Sequence, residues 1–220
     1  MINKPKISPE NILRNFSTKK IDQKNLKHIS TPQISDAMKK LNIKNTFLSG
    51  VKLRSGEKLS GSAVTVKTSS DDWGTVVKAI ETAKKGQIIV ICSDNNDQAL
   101  WGELTSKMAQ KKGLGGTVVL GAARDLSAIR SLNYTLFSSA IIPNAGHPLN
   151  KGEINIPINF GDREIQPEDM IIGDDCGVLV IPKLKYYKVI KETFRIKKQE
   201  KEISEKIEKG FSLSEILGIK

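Results

Sequence analysis

The sequence predicts an α/β domain: a parallel sheet of β/α units, followed by a small β-rich layer and a long C-terminal helix. Three observations carry this reading. Residues 87–92 (QIIVIC) and 117–120 are continuous apolar runs, the mark of strands buried on both faces. Helical patterns alternate with such runs through short links, which is the order of parallel β/α units. After residue 150 the pattern changes to short strands split by Gly-Asp and Pro-Glu-Asp turns.

Each element follows from its residues. Residues 1–29 are polar and irregular, an arm or a short helix. Thr31 then serves as N-cap and Pro32 as first helical residue, with Ile34, Met38 and Leu41 on one face. Residues 46–69 read as strands broken by Gly50, Gly56 and Gly61, with 63–68 the best of them. The run Ser70-Asp71-Asp72 caps a helix reaching Lys85, striped by Val76, Val77, Ile80 and Ala83. Beyond the strand at 87–92, a helix is expected over 100–112, a strand over 117–120, a turn over 121–125, a short helix over 126–131 and a strand over 135–138. The β-rich layer comprises 154–159, 163–165, 170–172 and 178–181. A charged helix then runs from Pro182 to Lys209 on a thin seam of Tyr187, Ile190, Phe194, Ile203 and Ile207. Such a seam packs across a neighbouring subunit or lies on the chain's own core.

Composition excludes several function classes. No apolar run approaches the roughly 20 residues that span a bilayer, and the first 15 residues have no secretory core, so a cytoplasmic protein is expected. Cys92 and Cys176 are too few for a disulfide framework, and with only His28 and His147 beside them a soft metal site is not expected. Any metal would be held by oxygen, which favours magnesium or manganese. The net charge of +11 invites a nucleic-acid reading. Its location argues against one: residues 1–30 and 183–210 each carry +5, and residues 31–182 only +1.

The segment 101–125 holds the chemistry. Gly102-Glu103-Leu104-Thr105 stands where a loop enters a helix, and free amides there bind carboxylate or phosphate. Arg124 and Asp125 follow a buried strand, at the end where open α/β sheets place ligands. Arg124 can grip a carboxylate with two hydrogen bonds, and Asp125 can hold a hard cation. Glu103 joins them if the strands at 87–92 and 117–120 are neighbours. An ordinary Arg–Asp surface pair, with Glu103 as a helix N-terminal acid, also accounts for the trio. Gly113–Gly116 lies between a helix and the following strand, the wrong order for a dinucleotide loop. His147 reads as a loop histidine, Cys92 as core and Cys176 as a turn residue.

Four segments together resemble the RraA-like family, which includes divalent-metal 4-hydroxy-4-methyl-2-oxoglutarate aldolases and the regulator of ribonuclease E activity. They are Thr31-Pro32-Gln33-Ile34-Ser35-Asp36-Ala37, Gly102-Glu103-Leu104, residues 113–125 ending in Arg124-Asp125, and Gly173-Asp174-Asp175-Cys176-Gly177-Val178. The signature is an acid, twenty residues, then Arg-Asp, which Glu103 and Arg124 fit. The resemblance covers about residues 30–218. It implies a layered α/β/β swivelling-domain-like fold, with a basic arm over 1–30, a core over 31–182 and a helical tail over 183–220 that packs on a neighbouring subunit in a trimer or hexamer. It also implies a 2-keto acid substrate held by Arg124, Gly102 and the amides of Leu104 and Thr105. Asp125 would bind Mg2+ or Mn2+, and Glu103 and a neighbour's Glu200 (Glu202 as second choice) would act through water. A non-catalytic role with a ribonuclease partner, or lyase chemistry on another 2-keto acid, are the alternatives. Two departures stand out: Ala128 replaces a common acid, and Ser93-Asp94-Asn95-Asn96 replaces a common Gly-Gly.

Overall fold

The computed structural model describes residues 26–44 and 46–219; the expected basic arm lies, as far as residue 25, outside the described residues. The chain divides into two compact units, residues 45–186 and residues 1–44 with 187–220. The helix α1 (Thr31–Lys40) therefore groups with the C-terminal tail rather than with the sheet.

The larger unit holds a nine-stranded sheet. Its strands are β1 (Lys52–Ser55), β2 (Leu59–Thr68), β3 (Ile88–Ser93), β4 (Ala99–Trp101), β5 (Gly116–Ala123), β6 (Leu136–Ile141), β7 (Glu153–Ile154), β10 (Met170–Asp174) and β11 (Gly177–Ile181). The remaining two, β8 (Ile158–Phe160) and β9 (Arg163–Ile165), pair as a separate ribbon. The order β1-β6-β5-β3-β2-β10-β11 has a parallel centre, β6-β5-β3-β2, and antiparallel flanks. The end strands β1 and β11 approach each other, so the sheet nearly closes.

Successive side chains on a strand face opposite ways, and the apolar runs fill both faces. On β3, Ile89 and Ile91 join Val64, Val66, Val76 and Ile80 in one core. Ile88 and Val90 join Phe137, Ile165, Ile171 and Val180 in the other. The first core packs beneath α2 (Gly74–Thr82) and α3 (Glu103–Lys112); the second is covered by β-structure, which gives α/β/β layering. Each fully buried side chain of this kind contributes roughly 1.5–3 kcal/mol.

Local differences from the sequence reading have simple causes. Ser30, not Thr31, caps α1: its Oγ accepts from the Gln33 amide at 3.4 Å, while Gln33 Oε1 accepts from the Ser30 amide at 3.1 Å. Leu100 and Trp101, expected to open a helix, instead form β4 with Ala99. Strand β5 then runs on to Ala123, through the expected turn, because Ala122 pairs with Ala99 and Ala123 with Trp101. Residues 154–159 split into β7 and β8 around Pro157, which has no amide to donate to a ladder.

After a short 3-10 turn at the end of the larger unit, Lys183–Lys185, α5 (Tyr186–Glu208) leads into the smaller unit, where α6 (Leu213–Leu217) is the last helix. The expected seam is buried only at Ile190 and Phe194, with Tyr187 exposed before them. Ile190 and Phe194 are buried with Val189, whereas Ile207, Phe211 and Leu217 are exposed. Glu192 is buried between Lys40, 2.7 Å away, and Arg195, 3.0 Å away. The Lys40 ammonium, with Arg195, holds its carboxyl below the usual range. No helix among the described residues is long and apolar enough to cross a membrane.

Candidate active site

Strands β3 and β5 are parallel neighbours, and where β3 ends β4 takes its place beside β5. Gly102 follows β4 in extended conformation and opens α3. The Arg124 amide donates to Trp101 O at 2.9 Å. Asp125, in the left-handed region at φ 57, turns the chain into α4 (Leu126–Leu132). Its Oδ2 accepts from the Glu103 amide at 3.1 Å and lies 3.6 Å from Arg124 Nε. A Cβ on Gly102 would stand 2.6 Å from that same oxygen, so any side chain there would displace the Asp125 carboxylate.

A buried frame supports this turn. Trp101 is buried and stacks on Tyr134, ring centroids 6.0 Å apart. Its Nε1 donates to Ser106 Oγ at 2.7 Å, and Ser106 Oγ donates to Gly102 O at 2.8 Å. Thr105 Oγ1 accepts from the Gly102 amide at 2.9 Å. Tyr134 shares a 2.9 Å hydrogen bond with Thr117, and burial pushes its phenol well above the ordinary value.

The side chains expected to form the site, above this frame, are open. Arg124 and Asp125 are 44% and 41% exposed, and the Glu103 carboxylate pairs with Lys107 one turn on. The amides of Leu104 and Thr105 belong to the first turn of α3, where no intrahelical acceptor exists. Gly102, Glu103, Leu104, Thr105, Arg124 and Asp125 line one cavity of about 100 Å³, whose remaining walls include Trp73 and Ala145. The structure thus brings six sequence-predicted residues together. Glu200 and Glu202 lie on α5 in the other unit, where Glu200 accepts from Gln33 Nε2 at 2.5 Å.

Two features were less legible. Asp72, read as a helix cap, is a buried hub. Its carboxylate accepts from Thr75 Oγ1 (2.6 Å), Thr68 Oγ1 (3.0 Å) and the amides of Thr75 (3.2 Å), Asn150 (2.8 Å), Lys151 (2.8 Å) and Gly152 (3.2 Å). Burial alone would raise this carboxyl, but the hydrogen bonds from Thr75, Lys151, Asn150 and Thr68 outweigh it and hold it far below the usual range. The sequence signal was only a strand end followed by adjacent aspartates. Secondly, Ser93 and Asp94, part of the loop that departs from the family pattern, border a separate cavity of about 400 Å³ with Lys67, Asp72 and Lys151.

The other candidates are placed without a catalytic arrangement. His147 Nδ1 pairs with Asp71 Oδ1 at 2.9 Å. The Cys92 thiol is pushed up, chiefly by burial. Among the described residues, the one group of three metal-capable side chains is Asp174, Asp175 and Cys176. It sits in the β10–β11 hairpin turn, where the Cys176 amide donates to Asp174 Oδ1 at 3.1 Å.

Fold and site together define an α/β/β protein with an arginine–carboxylate cleft at the carboxyl end of a parallel sheet. The RraA-like family model, described as Aldolase/RraA, matches residues 31–180, and the chain belongs to that family. An uncharacterized protein of Methanocaldococcus jannaschii is 39% identical over 197 residues, covering 88% of this chain and 92% of that one. A Halalkalibacterium halodurans protein provisionally named 4-hydroxy-4-methyl-2-oxoglutarate aldolase is 38% identical, covering 70% of this chain and 73% of that one. Among solved structures, an uncharacterized protein from Pseudomonas syringae pv. tomato superposes with a TM-score of 0.79 at 27% identity, covering 89% of this chain and 93% of that one. The RNA-processing inhibitor RraA from Thermus thermophilis superposes with a TM-score of 0.62 at 26% identity, covering 68% and 92%.

Proposed function

We propose that this chain is a divalent-metal-dependent carbon–carbon lyase. It would be a class II aldolase that cleaves a 4-hydroxy-2-oxo acid, such as 4-hydroxy-4-methyl-2-oxoglutarate, to release pyruvate, with oxaloacetate decarboxylation as a side activity. The observation that carries it is the single cavity where the Arg124 guanidinium, the half-exposed Asp125 carboxylate and the open N-terminus of α3 converge.

The residues fit Mg2+ or Mn2+. Asp125 is an accessible hard oxygen donor and no sulfur or imidazole lines the cavity; such ions take one or two carboxylates and keep several waters. Asp125 would hold the ion, with Glu103 and Glu200 of the partner subunit reaching it through water. Bound there, the ion would draw electrons from the 2-oxo group. Arg124 supplies two N–H groups to the substrate carboxylate, and the amides of Leu104 and Thr105 supply more. The C4 hydroxyl gives up its proton and C4 becomes the carbonyl of the second product as the C3–C4 bond breaks, while C3 keeps the electron pair as the enolate of pyruvate, whose charge Arg124 offsets. Glu103 holds water that exchanges the proton with the substrate.

The same reading requires an assembly, a trimer or hexamer that brings Glu200 to a neighbour's cleft. Light scattering that finds a fully active single chain of 24.2 kDa contradicts it. The test of the chemistry is pyruvate release from oxaloacetate, 4-hydroxy-4-methyl-2-oxoglutarate and 4-hydroxy-2-oxopentanoate. Excess chelator should abolish it and magnesium or manganese restore it; full turnover in chelator contradicts the metal role.

A second reading is a non-catalytic protein that binds and modulates a ribonuclease. The likeness to the RNA-processing inhibitor RraA favours it, as does Ala128 in place of a common acid. Absence of pyruvate release on every acid above, together with measured ribonuclease binding, would establish it instead.

A further inference from the structure

The cleft has two unlike ends. Strand β4 lies between β5 on one edge and the segment at Asn144–Ala145 on the other: Ala99 pairs with Ala122 and with Ala145, and its amide donates to Asn144 O at 2.8 Å. Two interstrand spacings therefore separate the Arg124 end from the Ala145 end, about 10 Å. Of the charged groups lining the cavity, Arg124 and Asp125 follow β5 and Glu103 follows β4; none comes from the Ala145 edge. The opposite wall is Trp73 and Ala145.

That wall is fixed, and neither of its side chains has a donor to spare. Trp73 Nε1 already donates to Gly146 O at 2.9 Å, so the indole presents only its apolar ring. The Trp73 amide donates to His147 O at 3.1 Å, and His147 Nδ1 is tied to Asp71. Gly146 lies directly against the Asp71 backbone, where a Cβ would collide with Asp71 O. The segment beyond it is anchored by the amides of Asn150, Lys151 and Gly152 on buried Asp72.

We infer that Trp73 is a specificity-determining residue, and that the wall it forms receives a compact, uncharged alkyl group at the far end of a 2-oxo acid rather than a second carboxylate. This rests on the lyase reading and, among the substrates that reading allows, favours a 4-hydroxy-2-oxo acid with an alkyl substituent in that position over 4-hydroxy-4-methyl-2-oxoglutarate and oxaloacetate, which carry a second carboxylate. A second carboxylate there would lose water without gaining a donor, and it would face Glu103 and Asp125 along the cleft. A group that could reverse this is the imidazole of His147, two residues beyond Ala145, so it belongs in the test.

The experiment is calorimetric titration of the full chain, with Mg2+, by two unreactive acids of matched shape: 2-oxoglutarate and 5-methyl-2-oxohexanoate, which carries isopropyl in place of the distal carboxylate. The wild type should bind the alkyl acid about tenfold or more tightly than 2-oxoglutarate. Trp73→Ala should erase most of that preference by weakening the alkyl acid alone. Trp73→Phe, which keeps a ring against the core, should retain it and guards against simple loss of folding. Arg124→Ala should weaken both acids alike. If 2-oxoglutarate binds equally or better in wild type, and His147→Gln removes that advantage, the inference is overturned and His147 is the distal carboxylate's partner. Equal weakening of both acids by Trp73→Ala also overturns it. In either case an Arg124→Ala loss leaves the lyase reading standing; if wild type binds neither acid, both fall.

Discussion

Two aspartates occupy equivalent turns of this fold and have opposite characters. Asp72 follows β2 and precedes α2; Asp125 follows β5 and precedes α4. Asp72 is 1% exposed and takes six hydrogen bonds from two hydroxyls and four backbone amides. Asp125 is 41% exposed and takes one amide, beside an arginine that is as open as itself. A carboxylate whose lone pairs are filled by its own chain has no capacity left for a ligand, so Asp72 serves the architecture. One that is held in place but left accessible has that capacity.

Breaking the first aspartate should have the largest effect. Asp72→Asn puts an amide NH2 among six donors and leaves several unpaired. It should cost about 3 kcal/mol or more of stability, read as a lower midpoint in urea. Its depressed carboxyl also fixes the sign of an acid limb. The unfolded group titrates near ~3.9, so its stabilisation is complete above that range and is lost as pH falls toward the folded value, by about 1.4 kcal/mol per pH unit. In the Asp72→Asn variant that limb should be missing from the pH profile. An unchanged midpoint, or an unchanged acid limb, would show that the hub carries no stability.

The second aspartate should be sensitive to position rather than to loss of stability. Gly102→Ala places a methyl group against Asp125 Oδ2 and displaces the carboxylate from the Glu103 amide. Pyruvate release should fall about tenfold, since misplacing a reacting group by an ångström can cost that much or more. The unfolding midpoint should move by less than about 1 kcal/mol, because the methyl meets a half-exposed side chain. A large stability loss with activity per folded molecule intact would make Gly102 an architectural glycine instead.

How far the sequence disclosed this difference depended on the interaction involved. The strands were legible because burial on both faces leaves runs such as 87–92, and the helices because their apolar stripes repeat. The spacing from Glu103 to Arg124 was legible through its resemblance to the RraA-like signature, and in the fold it spans one helix and one strand laid side by side. Strand β4 was not: three residues carry no period, and only the pairing of Ala99 and Trp101 with β5 makes them extended. The Asp72 hub was hidden because three of its donors are amides 78 to 80 residues away, and an amide has no residue type to read. The Trp73 wall was hidden for the same reason, since a backbone carbonyl, Gly146 O, holds the indole.

The most direct test of the central claim is steady-state pyruvate release by the wild type and by Arg124→Ala and Arg124→Lys, in magnesium or manganese, with circular dichroism to establish folding. Lysine keeps the charge but not the planar two-pronged geometry, so both substitutions should reduce activity. The account predicts that folded Arg124→Ala loses about a hundredfold or more in rate, the worth of a transition-state donor of roughly 3–4 kcal/mol. A folded Arg124→Ala protein that turns over as fast as an active wild type would contradict the proposed site.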